Sequence, residues 1–208
     1  MIATRRACFV ALAMVVALPL AGCKIVPIAE QEAPAGFDGA AYAAGLWDER
    51  ALPYFAEAAR PASEVIPAIG ADLAAAGAQF GYRAGEGSPW SFVVSGSGTV
   101  TAKHTQSRAG TLEVAVDGLA EPVVLQIGPV IRGNAVRDAL PFVAFKDFVN
   151  QLEYANAGKA LTAAALAGFS SAADAVAVGD TVRFTGAIGV STGSDAVLVT
   201  PVTLEVLP

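Results

Sequence analysis

The side chains whose types and spacing could do chemistry gather between Leu125 and Tyr154. Arg132 and Arg137 flank Gly133 and Asn134, Asp138 follows at once, and Asn150 and Gln151 lie farther on. Two guanidiniums beside a glycine and a short polar residue suit a carboxylate, a phosphate or a sugar hydroxyl, because each planar fork offers several N–H donors at fixed angles. The same residues make a structural brace if Asp138 takes Arg132 or Arg137 as its ion-pair partner, which is the commoner use of such pairs. Arg132, Arg137, Asp138 and Asn150 are therefore the candidate contacts for a ligand or partner, with brace and site both open.

Elsewhere the reactive inventory is thin. His104 is the one histidine, and it sits between Lys103 and Thr105 in a strand-like stretch. No nucleophile-elbow pattern accompanies it, so serine-hydrolase chemistry is not expected and no catalytic residue is assigned. One histidine and no cysteine free for ligation leave a metal site to carboxylates almost alone; no metal and no cofactor are expected. Gly96-Ser97-Gly98 joins two strand-like stretches, which makes it a turn or bulge and not a phosphate loop. Asp48 with Glu49, and Asp147 with Glu153, are carboxylate pairs of the kind a glycosidase needs, yet solvent-facing helix positions explain them, and the separation that matters is spatial. Trp47 and Trp90 could stack on a sugar ring, although burial of the ring is the commoner use.

The chain has 208 residues, 54% hydrophobic and 15% charged, enough for one domain with a full core or two small ones. Its first residues have a layout of their own. Arg5 and Arg6 precede an apolar run from Ala7 to Leu20, with Ala21 and Gly22 after it, the order of a secretory signal and too short for a membrane span. Leu20-Ala21-Gly22-Cys23 is similar to the lipobox of bacterial lipoproteins, which implies a lipidated Cys23 as the mature N-terminus. Several acyl chains on one cysteine would anchor stably. Once Arg5 and Arg6 leave with residues 1–22, the 13 basic side chains fall to 11 against 19 acidic ones, a net charge of −8. That surface argues against nucleic acid and against broad adhesion to anionic lipid. Cys8 leaves with the signal, so the mature protein has no disulfide and relies on packing. Lys24 after the cysteine leans toward the outer membrane over the inner one.

The remaining chain must position the arginines. Residues 23–37, with Pro27, Pro34 and Gly36, read as a lipidated tether of roughly 20 Å reach. A single α+β domain is expected over 38–208. Within it, 38–81 reads as a helical hairpin: Asp38 caps a first helix that Pro53 ends or kinks, and Val65 to Phe80 forms a second, with Pro67 in its first turn. Alternation then predicts strands at Ser91–Ser95, Thr99–Thr105, Thr111–Asp117 and Val123–Ile127. A helix over 141–156 carries Phe142, Phe145, Phe148, Val149 and Leu152 on one core-facing stripe, and an alanine-rich piece runs from Lys159 to Phe169. Strands at Thr181–Val190 and Ala196–Val206, joined by a turn at Ser191 to Asp195, close the pattern. Residues 90–208 thus predict an OB-like small antiparallel β-barrel with a helix between strands three and four.

Gln126-Ile127-Gly128-Pro129-Val130-Ile131-Arg132-Gly133, Arg137-Asp138-Ala139, Phe142, Phe145, Phe148, Asn150-Gln151 and Tyr154-Ala155 resemble the most recognisable block of a bacterial family of predicted periplasmic lipoproteins, a domain of unknown function. The resemblance extends to Cys23-Lys24-Ile25-Val26-Pro27, Trp47, Gly81-Tyr82-Arg83, Gly186 and Thr200-Pro201-Val202. It implies a non-enzymatic accessory or binding module linked to sugar transport, because members are often encoded beside sugar ABC-transporter components. The implied partners are the membrane, through Cys23, and a transporter component or sugar-binding protein. A small-ligand site at the barrel mouth is the alternative, and a hydrolase with a hidden carboxylate pair is the third.

Overall fold

The computed structural model describes residues 36–208. The expected signal at 1–22, the lipidated Cys23 and the tether up to residue 35 lie outside the described residues.

The organising element is one long strand. β3 (Trp90–His104) follows two short strands, β1 (Arg60–Pro61) and β2 (Gly81–Tyr82), and precedes β4 (Thr111–Val116) and β5 (Val123–Gln126). β6 (Thr181–Val190) and β7 (Leu198–Leu207) end the chain. The sequence suggests two strands around Gly96 and Gly98, and the structure corrects this. β3 pairs with β6 from Trp90 to Thr99 and with β4 from Gly98 to His104, so the glycines lie where one strand passes between partners. A Cβ at Gly98 would sit 2.0 Å from the Ala115 carbonyl oxygen, and one at Gly96 would sit 2.7 Å from the Phe184 ring. Close approach, not a turn, is what these glycines supply.

Pairing runs β3, β4, β5, β7, β6 and returns to β3. Every pair along it is antiparallel except β5 with β7, which are parallel at Val124 with Leu198 and Leu125 with Val199. The expected class is thereby met: α+β, with five OB-like strands and a helix between the third and the fourth. Alternate residues point inward, as the two-residue period of a strand requires. Phe92, Val94, Leu112, Val114, Leu125, Val182, Phe184, Ile188 and Val199 are fully buried.

That helix is not the expected one. Residues 141–149 are irregular apart from a 3-10 turn at Phe145–Asp147, and a single 25-residue helix runs from Gln151 to Ala175. Its start is set by Asn150, whose Oδ1 accepts from the Glu153 N–H at 3.0 Å, while Glu153 Oε2 accepts from the Val149 N–H at 3.1 Å. This reciprocal capping fixes the boundary. The buried stripe is Ala157, Leu161, Ala165, Phe169 and Ala173, every fourth residue. The phenylalanine stripe is corrected accordingly. Phe142 and Phe148 pack partly against the core, but Phe145, Val149 and Leu152 are exposed.

The N-terminal hairpin exists as two broken arms. α1 (Gly39–Leu46), capped by Asp38 as expected, passes through a π-helical turn at Trp47–Ala51 into α2 (Leu52–Ala58), and Pro53 falls in the first turn of α2. The second arm is α3 (Ala62–Ala71) and α4 (Leu73–Phe80). Asp72 divides them, because its Oδ1 accepts from both Ala74 N–H and Ala75 N–H and so starts a new helix. α3 begins before the expected Val65, which leaves Pro67 inside it. α5 (Ala135–Asp138) and α6 (Gln151–Ala175) complete the set.

Candidate functional site

Of the four predicted contacts, the structure brings two together. α5 places Arg137 and Asp138 side by side, with the Arg137 side chain 11% exposed and that of Asp138 28% exposed. Arg137 Nε donates to Asp138 Oδ1 at 2.7 Å, and its NH2 lies 2.6 Å from the same oxygen. Arg137 NH1 donates to the Tyr154 carbonyl at 3.4 Å, and the guanidinium carbon lies 3.8 Å from the centre of the Tyr154 ring. The buried cation is thus matched by a carboxylate, a carbonyl and a π face, which removes most of its desolvation penalty.

The other two are elsewhere. Arg132 is exposed, and what is held there is its backbone: buried Gln126 accepts from the Arg132 N–H at 2.9 Å and donates to the Arg132 carbonyl at 3.2 Å. Gln126 Nε2 also donates to Thr200 Oγ1 at 3.0 Å, tying this loop to β7. Asn150 caps α6. Neither residue shares a cavity with Arg137.

Arg137 and Asp138 do reach open space. With Tyr82, Ala84, Ser88, Pro89, Val143 and Tyr154 they line a cavity of about 160 Å³. A second cavity, about 530 Å³, shares Tyr82 and Ala84 and continues past Pro141, Phe142, Phe145, Lys146 and Asp147. The two adjoin at Tyr82 and Ala84 and together make a cleft region bounded by residues 82–89 and 141–147. Rings support its floor: Tyr154 packs on Phe145 and Phe148 at centroid distances of 5.6 and 5.3 Å, and Phe142 on Tyr54 at 5.8 Å. Burial pushes the Tyr154 phenol above its usual range, Arg137 opposes this, and Asp138 adds to it. Tyr54 is raised chiefly by burial. Both phenols stay neutral in ordinary buffers. A separate depression of about 310 Å³ beside Ile131 and Leu166 has Lys159 as its one charged lining residue.

Tyr82 and Ser88 were not singled out from sequence as contacts. Tyr82 and Tyr154 belong to the family-like blocks, but nothing in a single sequence says that β2 and the start of α6 meet. His104, Trp47 and Trp90 lie away from these two cavities. His104 Nε2 lies 3.1 Å from Glu113 Oε1 on the surface. Trp47 is buried against Phe55, and Trp90 lies against Gly77, with the Arg83 guanidinium 4.5 Å from its ring centre. The two cavities present rings, a guanidinium, an ammonium, two carboxylates and hydroxyls, groups of the kind that can hold a polar ligand. Among the described residues no helix is long and apolar enough to cross a membrane.

A family model described as predicted periplasmic lipoprotein (DUF2291) matches residues 13–205. Among solved structures, an OB-fold protein from Thermotoga maritima is 19% identical with a TM-score of 0.68, over 83% of this chain and 99% of that one. At this identity the likeness concerns the fold. The OBody NL8, solved bound to hen egg-white lysozyme, is 13% identical with a TM-score of 0.32, over 56% of this chain and 94% of its own. No curated protein matches.

Proposed function

The chain belongs to this family of predicted periplasmic lipoproteins, and on that premise we propose that it is a non-enzymatic module, anchored through lipidated Cys23, that takes a small polar ligand in the cleft between residues 82–89 and 141–147. Its address is that of the family, the periplasmic face of a membrane, where a lipid anchor holds it. The observation that carries the binding reading is the position of the Arg137–Asp138 pair at a cavity walled by Tyr82 and Tyr154. Aromatic walls suit the apolar face of a ligand, and a guanidinium beside a carboxylate suits its hydroxyls. That combination fits a sugar, which accords with the transport role implied by the family resemblance. In that role the protein is an accessory that contacts a transporter component or a sugar-binding protein.

The lining favours binding over catalysis. Asp138 is the one carboxylate of the smaller cavity and is engaged by Arg137; in the larger, Asp147 Oδ2 accepts from the Ala144 N–H at 3.2 Å. The test is a thermal-shift screen of the wild-type lipoprotein in nanodiscs against mono- and oligosaccharides, beside a pull-down for transport proteins. One sugar class is expected to raise Tm by about 2–4 °C near saturation, and Tyr82→Ala and Asp138→Asn to abolish that shift. Failure of every sugar, with no transport protein recovered and sugar uptake unchanged on deletion, sinks the reading.

A further inference from the structure

The large apolar side chains exposed on the described residues are not evenly spread. Phe145, Val149 and Leu152, at 50%, 88% and 68% exposure, cluster on the segment that leads into α6. Phe37 stacks on Phe148 and on Tyr42, each at 5.4 Å, so the chain coming from Cys23 enters the domain beside this cluster.

We propose that this cluster is a membrane-docking surface, and that Phe145, Val149 and Leu152 enter the interfacial layer of the bilayer that holds the Cys23 anchor. The inference rests on the anchoring part of the functional reading and adds an orientation to it. Only Lys24 to Gly36 separate the anchor from the domain. Fully extended, that length spans about 45 Å, and as a coil about 20 Å, against a domain about 40 Å across. The face at which the chain enters therefore spends the most time at the lipid surface, and on that face Phe145, Val149 and Leu152 stand exposed among the polar side chains Lys146, Asp147, Asn150 and Gln151.

Charge points to apolar rather than electrostatic docking. The acidic mature chain is repelled by anionic headgroups, yet the two carboxylates of the segment are turned onto backbone, Asp147 to Ala144 N–H and Glu153 to Val149 N–H. Phe145 also lines the cleft. Docking by this face sets the cleft beside the bilayer, where a membrane-embedded partner can reach its ligand.

The test uses the full lipidated chain in vesicles of phosphatidylethanolamine and phosphatidylglycerol. Cys8 leaves with the signal and the Cys23 thiol is consumed by acylation, so Val149→Cys, Leu152→Cys and the control Asp117→Cys each carry a single free thiol for a nitroxide label. Positions 149 and 152 are expected to collide with oxygen and to be about tenfold less accessible to a water-soluble nickel chelate than position 117. That pattern should persist from about 50 mM to about 500 mM salt, because apolar insertion is not screened. Equal nickel accessibility at all three positions, with Cys23 acylated by mass spectrometry, overturns the docking surface and leaves the anchor standing. An unacylated Cys23 overturns the anchoring reading and the docking with it. Spin–spin broadening at 149 that vanishes on dilution with unlabelled protein gives the surface to a second copy, and also overturns the proposal.

Discussion

The Arg137 guanidinium meets the Asp138 carboxylate along its Nε/NH2 edge, 2.6 Å from NH2, and the Tyr154 ring across its face, 3.8 Å from its central carbon. The pair is thus a brace that also lines a cavity. One side of the pair joins α5 to the first turn of α6, and the other faces the cleft. Replacing Arg137 by Ala leaves Asp138 without its cation and takes the side-chain donor from the Tyr154 carbonyl. The expected loss is about 2–3 kcal/mol, below the full cost of breaking a buried pair because Asp138 is partly solvated. Arg137→Lys keeps the charge but not the planar stack and should lose about 1 kcal/mol. Urea unfolding measures both, with an unchanged m value showing that the fold is retained.

Asn150 gives the contrasting case, a predicted contact that serves as a helix cap. Asn150→Ala should cost about 1 kcal/mol, and Asn150→Asp should cost almost nothing, because the carboxylate still accepts from Glu153 N–H and favours the positive helix end. Any ligand found for the cleft should bind both variants with unchanged Kd. A weaker Kd for Asn150→Ala at equal folded fraction, read by calorimetry, would return Asn150 to the site.

How much was legible follows from which forces are local. The order of strands and the place of the helix among them show in the sequence because alternation and turn residues act over a few positions. The start of α6 was also written there, as Asn150 with Glu153 three residues on, but the phenylalanines at 142, 145 and 148 imitate helical spacing across a segment that is not helical. Gly96 and Gly98 looked like punctuation because their reason is the Phe184 ring and the Ala115 carbonyl, both supplied by other strands. The Arg137–Asp138 pair was visible as neighbours in the chain. Its third partner, Tyr154, and the opposite wall, Tyr82, come from a non-local fold that no spacing encodes.

Gly158 separates helix propensity from packing. It lies in the interior of α6, where alanine is ordinarily favoured by about 1 kcal/mol. A Cβ there would meet Asn134 Oδ1 at 2.9 Å and Arg137 Cδ and NH1 at 3.2 Å. Gly158→Ala is therefore expected to destabilise by about 1 kcal/mol and to displace Arg137. Gly98→Ala, with its Cβ 2.0 Å from a carbonyl oxygen that cannot swing away, should cost more, about 3 kcal/mol. Thermal melts rank the two, and a Gly158→Ala variant more stable than wild type would refute the close contact.

The pH dependence should be set at both ends by identifiable groups. Asp195 closes the β6–β7 turn by accepting from Thr192 Oγ1, Thr192 N–H and Ser191 N–H, and these bonds hold its carboxyl below the usual carboxylate range. A lowered folded pKa means that its contribution is present above the unfolded value, about 3.9, and is lost as pH falls through the lower folded value. Asp195→Asn should remove that acid-side slope. At the other end, burial raises the Tyr42, Tyr54 and Tyr154 phenols. For a raised group the stability is complete below the unfolded value, about 10, and falls away as pH rises through the folded one. Stability measured by urea titration should thus decline above pH of about 10, less steeply in Tyr154→Phe, which has no phenol to ionise beside Asp138. An alkaline limb unchanged in that variant would mean that Tyr154 does not govern it.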